Sequence, residues 1–154
     1  MNSYLDDIRF LDAKFGEFGI QHFTGKEICN GWDIPDGLLY NILPTIRILN
    51  VIREWYNKPI YINSTYRSPN YNKAVGGKPK SLHLDFNAID FTVRNKKDLK
   101  RIFNEIIRLD STINAFNFLP KPKGNFGTEY YDGRFIHLDT RSTLGRRSPA
   151  RWEA

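Results

Sequence analysis

Between Leu38 and Tyr56, leucine and isoleucine recur at helical spacing with Pro44 set among them. Proline is accepted in the first turn of a helix and disrupts its interior. The pattern therefore predicts a short helix ending near Leu43 and a longer one from Pro44 to Tyr56. Pro59-Ile-Tyr-Ile-Asn63 reads as a short strand closed by polar residues. From Ser64 to Leu82 the pairs Ser-Pro, Gly-Gly and Lys-Pro are turn chemistry and predict a long ordered loop. Loops of that length in compact domains are usually functional. Ala88 to Val93 predicts a buried strand, and Arg134 to Thr140 an alternating one. Leu99, Ile102, Phe103, Ile106 and Ile107 predict a helix from Lys96 to Arg108. Interspersed helices and strands imply an α+β arrangement. With no internal repeat or long linker, one domain over residues 1–154 is the expectation.

Composition narrows the class without choosing a function. Hydrophobic residues make up 40% and charged residues 26%, which is ordinary for a globular chain. No run approaches the roughly 18 apolar residues of a membrane span, and the start lacks the basic and apolar pattern of a secretory signal. A cytoplasmic protein, unless carried out by other means, is the expectation. The single cysteine, Cys29, excludes an internal disulfide framework and a cysteine metal cluster. The net charge of +6 suits an anionic partner such as nucleic acid, a teichoic-acid-bearing wall or an acidic membrane.

The chemistry concentrates in two segments. In Ser81-Leu-His-Leu-Asp-Phe-Asn-Ala-Ile-Asp-Phe91, His83 precedes Asp90 by seven positions. On a straight helix that separation is about 10 Å, whereas two ligands of one zinc lie within about 4 Å of each other. The chain must bend back between them, and Asp85 and Asn87 are turn formers. Asp90 sits in an otherwise apolar run, where a carboxylate is costly unless paired or metal-bound; Arg67 or backbone amides are the alternative partners. In Phe135-Ile-His-Leu-Asp139, alternation puts Phe135, His137 and Asp139 on one strand face. A neutral imidazole suits zinc, and a carboxylate beside it can orient it or act on the metal-bound water. The third histidine, His22, has no such surroundings.

Together, Ser64-Thr-Tyr-Arg-Ser-Pro69, Asn72, Val75-Gly-Gly77, Ser81-x-His83, Ala88-x-Asp90 and Phe135-Ile-His-Leu-Asp139 resemble the zinc D-Ala-D-Ala carboxypeptidase and endopeptidase family. That family includes bacterial wall hydrolases and phage endolysins. The likeness runs in order from about Phe23 to Trp152, and its end, Arg151-Trp152, resembles that of the shorter members. The fold it implies is the Hedgehog/D,D-peptidase one, a small antiparallel sheet with packed helices. It implies His83, Asp90 and His137 as ligands of a catalytic Zn2+, Arg67 as a catalytic arginine near the scissile carbonyl, and Ser81 and Tyr66 at the substrate. Gly76 and Gly77 are assigned backbone freedom and no chemistry.

Two departures stand out. Many members carry glycine where this chain has Phe86, and several place an acidic base where it has Arg134. Asp139 is then the first expectation for the base, with Glu129 and Asp132 in reserve. The function implied is metal-assisted hydrolysis of peptidoglycan stem or cross-bridge peptides containing D-amino acids, of D,D or L,D type. The setting implied is an endolysin or virion-associated wall peptidase, held in the host cytoplasm before release. A non-catalytic phage structural or wall-binding module is the alternative. A nucleic-acid-binding domain rests on charge alone, and oligomeric state is not legible.

Overall fold

The computed structural model describes residues 3–112 and 116–153. The two ends of the 1–154 domain expectation thus lie outside the described residues. The chain opens with α1 (Tyr4–Phe18), started by a reciprocal cap between Ser3 and Asp6 and closed by Gly19 in the left-handed region. A second reciprocal cap, Thr24 with Glu27, starts α2 (Gly25–Cys29). A 3-10 turn, Leu39–Ile42, leads into α3 (Leu43–Tyr56), with Pro44 in the first turn and Asn57 as its left-handed cap. The two-part helix expected around Pro44 is therefore present.

The strand β1 (Tyr61–Ser64) follows, and then a departure from expectation. The stretch after Ser64 is not all loop: Ser68 caps a short helix, α4 (Pro69–Ala74), with Pro69 at its first position. β2 (Ala88–Thr92) and α5 (Leu99–Asp110) match the predicted strand and helix. β3 (Gly127–Tyr131), β4 (Phe135–Asp139) and β5 (Ala150–Glu153) complete the chain.

Among the described residues the strands form one sheet in the order β1-β2-β4-β3-β5. The first three pairings are antiparallel and the last, β3 with β5, is parallel, so the sheet is mixed. Helices pack on it around a single apolar cluster. Ile46, Leu49 and Ile52 of α3 and Ile102 and Ile106 of α5 are fully buried there with Ile89, Phe91, Ile136 and Leu138 of the sheet. Each such side chain contributes roughly 1.5–3 kcal/mol by leaving water.

The pairing register does more for function than the order of elements. Ser64 lies opposite Asp90, Asp90 opposite His137, His137 opposite Glu129 and Glu129 opposite Trp152. Paired residues share a face, so one row of side chains crosses all five strands. No helix among the described residues is long and apolar enough to cross a membrane.

Candidate metal centre

The row delivers Asp90 and His137, and the turn before β2 delivers His83. That turn is tight: Phe86 N–H donates to the His83 carbonyl and Asn87 N–H to the Leu82 carbonyl. Phe86 takes φ 53°, the left-handed conformation that glycine adopts freely, and its ring is fully buried. The bend expected between the two ligands is thus made with a phenylalanine at the glycine-like position. The His83 carbonyl also accepts from Arg67 N–H at 3.1 Å, tying the turn to the end of β1.

His83 Nε2 lies 3.0 Å from Asp90 Oδ1, and His137 Nδ1 lies 2.9 Å from the same oxygen. One donor atom from each of the three residues falls within 4.8 Å of the others. All three side chains are buried.

The hydrogens decide what this cluster can hold. His83 Nδ1 is 2.6 Å from the Thr65 carbonyl, which only accepts, so the ring proton sits on Nδ1. Nε2 is left with a lone pair, and it has no hydrogen-bond partner despite its distance from Asp90. His137 Nε2 lies 2.7 Å from Asp139, whose carboxylate holds the proton on that nitrogen. A neutral His137 therefore also turns a lone pair toward Asp90. Three electron-rich atoms converging in a buried space fit a divalent cation. Burial opposes charge on His137, yet its bonds to Asp139 and Asp90 outweigh burial and hold the imidazolium up to about 9. Burial likewise works against ionised Asp90, but the bond from His137 holds it well below the usual carboxylate range.

A cavity of about 330 Å³ opens in front of the cluster, and its walls include Arg67, Ser81, Glu129, Tyr131, Phe135 and Trp152. Arg67 donates at 3.3–3.4 Å to Asp90, Ser64 and Asn72. Ser81 Oγ accepts from His83 N–H at 3.2 Å, which fixes the turn and leaves the hydroxyl proton free to point elsewhere. Burial, and then the neighbouring Glu129 carboxylate, push the Tyr131 phenol up.

Asp139 shares the face of His137, as alternation requires, but it is not in the cavity wall. It is fully buried behind the imidazole. Its oxygens accept from Gly127 N–H, Arg141 N–H, the Arg141 guanidinium and His137. A Cβ on Gly127 would stand 2.4 Å from that guanidinium, so glycine is what admits it. Burial opposes the Asp139 charge, but His137 and Arg141 hold the group well below the usual carboxylate range. Asp139, the first expectation for the base, thus has both oxygens engaged by these donors and none in the cavity wall. Tyr66, expected at the substrate, is buried, edge-on to Trp32 and Phe86, and is absent from the cavity wall. Asp132 accepts from the Tyr130 hydroxyl and is absent from the wall. Arg134 lies over the rings of Tyr131 and Phe135. His22 pairs with Glu54 at 3.0 Å.

Glu129, held in reserve as the base, does line the cavity, while Tyr131 and Trp152 are wall residues that local patterning did not single out for the site's chemistry. Their signal is the strand register, which pairing across the sheet creates.

The Peptidase M15 family model matches residues 21–119, more than half of the chain. The matched stretch contains Arg67, His83 and Asp90, while Glu129, His137 and all of β3, β4 and β5 lie beyond it. No curated protein sequence matches the chain. The chain belongs to the M15 peptidases, a family of metal-dependent peptidases.

Proposed function

We propose that this M15 metallopeptidase binds Zn2+ through His83, Asp90 and His137 and hydrolyses peptide bonds in peptidoglycan stem or cross-bridge peptides. The single observation that carries the reading is a buried cradle of three lone-pair donors opening on a cavity that has a carboxylate, Glu129, in its wall. Zinc held there would polarise a scissile carbonyl and acidify an attacking water.

The chain's own residues do the rest. Glu129 is the general base: it takes the proton of the attacking water on a carboxylate oxygen and returns it to the leaving amine. The Tyr131 hydroxyl, beside that carboxylate in the cavity wall, is the group that would orient it. Asp139 keeps a proton on His137 Nε2, so that Nδ1 stays available as a ligand atom. Arg67, bonded to Asp90 and exposed to the cavity, offers its remaining charge to the developing oxyanion. The Ser81 hydroxyl is placed to donate to a substrate carbonyl.

The resemblance supports D-amino-acid-containing substrates, cleaved by a D,D- or L,D-type activity, and an endolysin or virion-associated role at the cell wall. The competing reading, a non-catalytic wall-binding module, rests on Arg134 standing where relatives carry an acid. Glu129 in the wall supports the catalytic reading instead. Zymography on purified wall tests the reading: a lytic band is expected for wild type and none for His137→Ala. A metal-loaded chain that yields no band would sink it.

A further inference from the structure

The strand at one edge of the sheet brings an indole beside the candidate base. β5 pairs with β3 alone, and Trp152 stands opposite Glu129. Trp152 lines the cavity, its ring 6.1 Å from that of His137 and flanked by Lys78 at 5.1 Å and Arg141 at 5.4 Å. It lies beyond residues 21–119, the stretch that matches the family.

A parallel pairing of four residues with a single neighbour is weak on its own. Its register nevertheless shapes the cavity. A slip of one residue would turn Trp152 to the opposite face, and a slip of two would carry it roughly 7 Å along the strand.

The register is fixed from the other side of the sheet. Alternation turns Arg151 away from the cavity and toward α5, whose Phe103 stacks on Tyr130 of β3 at 5.6 Å. There Arg151 Nη2 donates to Asp110 Oδ2 at 2.9 Å, and the Asp110 side chain is 1% exposed. The same carboxylate accepts from Asn125 N–H at 2.6 Å and from Phe126 N–H at 3.1 Å, the two residues that lead into β3. One buried group at the end of α5 thus holds β5 by a side chain and the start of β3 by its backbone. Ala150 N–H, donating to the Phe126 carbonyl at 3.0 Å, begins the strand pairing at that point.

We infer that Trp152 is a substrate-binding residue, giving apolar contact to the peptide residue held beside Glu129, and that Asp110 and Arg151 are its positioning residues across the sheet. Neither Asp110 nor Arg151 lines the cavity. Their effect on the reaction therefore passes through the register of β5 and falls on substrate binding. The inference rests on the peptidase reading for its substrate, while the placement of the indole is tested without it.

The substrate is a soluble muropeptide mixture from purified wall, given to the zinc-loaded full chain. Trp152→Leu should raise KM about tenfold, more than it lowers kcat, because the lost contact is made in ground and transition states alike. Arg151→Met should raise KM in the same way with zinc content unchanged. Arg151→Lys should recover most of it, since Arg151 gives Asp110 one N–H while its Nε has no partner. The double variant should be no worse than Trp152→Leu alone, as expected of two residues acting through one contact.

A second measurement needs no turnover. Trp32→Phe with Trp55→Phe leaves Trp152 as the only tryptophan, and Arg151→Met should then raise its acrylamide quenching constant. Additive losses, or KM and quenching both unmoved in Arg151→Met, would overturn the inference, as would a KM rise that Arg151→Lys does not recover. Should Arg151→Met fold poorly, Trp152→Leu leaves the ion pair intact, and an unchanged KM there is decisive against the proposal. A wild type that cuts no muropeptide removes the peptidase reading; muropeptide binding, read from Trp152 emission, then replaces KM. An active enzyme whose KM ignores Trp152 removes this inference and leaves the peptidase reading standing.

Discussion

The Nδ1 of His83 lies 2.6 Å from the carbonyl oxygen of Thr65, and that contact sets the polarity of the candidate metal centre. A carbonyl accepts, so the ring must present its other nitrogen, unprotonated, to Asp90. A backbone group in the residues just after β1 thereby selects the tautomer that a metal ligand needs, before any metal arrives.

One metal per chain is therefore expected by elemental analysis, falling well below that in His83→Ala and unchanged in His22→Ala. Binding only to the folded form stabilises it by about 2.7 kcal/mol at a hundredfold excess over Kd. At this size that corresponds to roughly 5–10 °C in thermal midpoint. A midpoint indifferent to zinc would contradict the ligand assignment.

Asp139 and Glu129 flank His137 in different ways, and their variants should separate. Asp139→Asn disturbs the group that holds the imidazole proton, so zinc affinity should fall by about ten- to a hundredfold. Glu129→Gln leaves the cradle intact, so zinc content should hold while wall hydrolysis drops by about 10²–10⁴. The reverse pattern, with Asp139→Asn retaining zinc and losing only hydrolysis, would return the role of base to Asp139.

How much of this was legible beforehand follows the range of the interactions. His83, Asp90 and His137 announced themselves locally, through a carboxylate in an apolar run and a histidine on an alternating strand. The helix around Pro44 and the strands β2 and β4 are also local patterns. Ser68-Pro69, a cap followed by a first-turn proline, signalled α4, but the surrounding turn residues masked it. The placement of Glu129 depends on which residue of β3 lies opposite His137, and register is a long-range property. The parallel pairing of β5 is longer in range still, and with it comes Trp152 in the wall. Asp139 shows the limit most clearly, since alternation put it on the right face and could not say that Arg141 and two backbone amides saturate it.

Phe86 offers a test of strain against packing. Glycine there would relieve a left-handed conformation worth about 1–2 kcal/mol, yet remove a fully buried ring worth about 3–5 kcal/mol. Phe86→Gly is expected to lower stability by a net of about 1–4 kcal/mol in denaturant unfolding. A variant as stable as wild type would mean that the turn, not the ring, governs this position.

The protein should weaken in alkali, and the direction follows from two buried groups far along the chain from the ligands. Burial, then the carboxylates of Asp7, Asp12 and Asp33, push the Cys29 thiol up to about 12. Burial and the hydrogen bond to Asp98 push the Tyr56 phenol up to about 12. In the unfolded chain these groups ionise near about 8.5 and 10. The folded state thus keeps protons that the unfolded state releases, so stability is complete below the unfolded values and is lost as pH rises through about 12. The thermal midpoint should fall from about pH 9 upward. Cys29→Ala should remove the earlier part of that fall and Tyr56→Phe the later part. A thiol reagent should modify Cys29 only on unfolding, since a thiol held protonated and out of solvent is a poor nucleophile. Rapid labelling of the native chain at pH 8, or a midpoint in Cys29→Ala that falls as steeply as wild type, would show that the thiol is not held in this way.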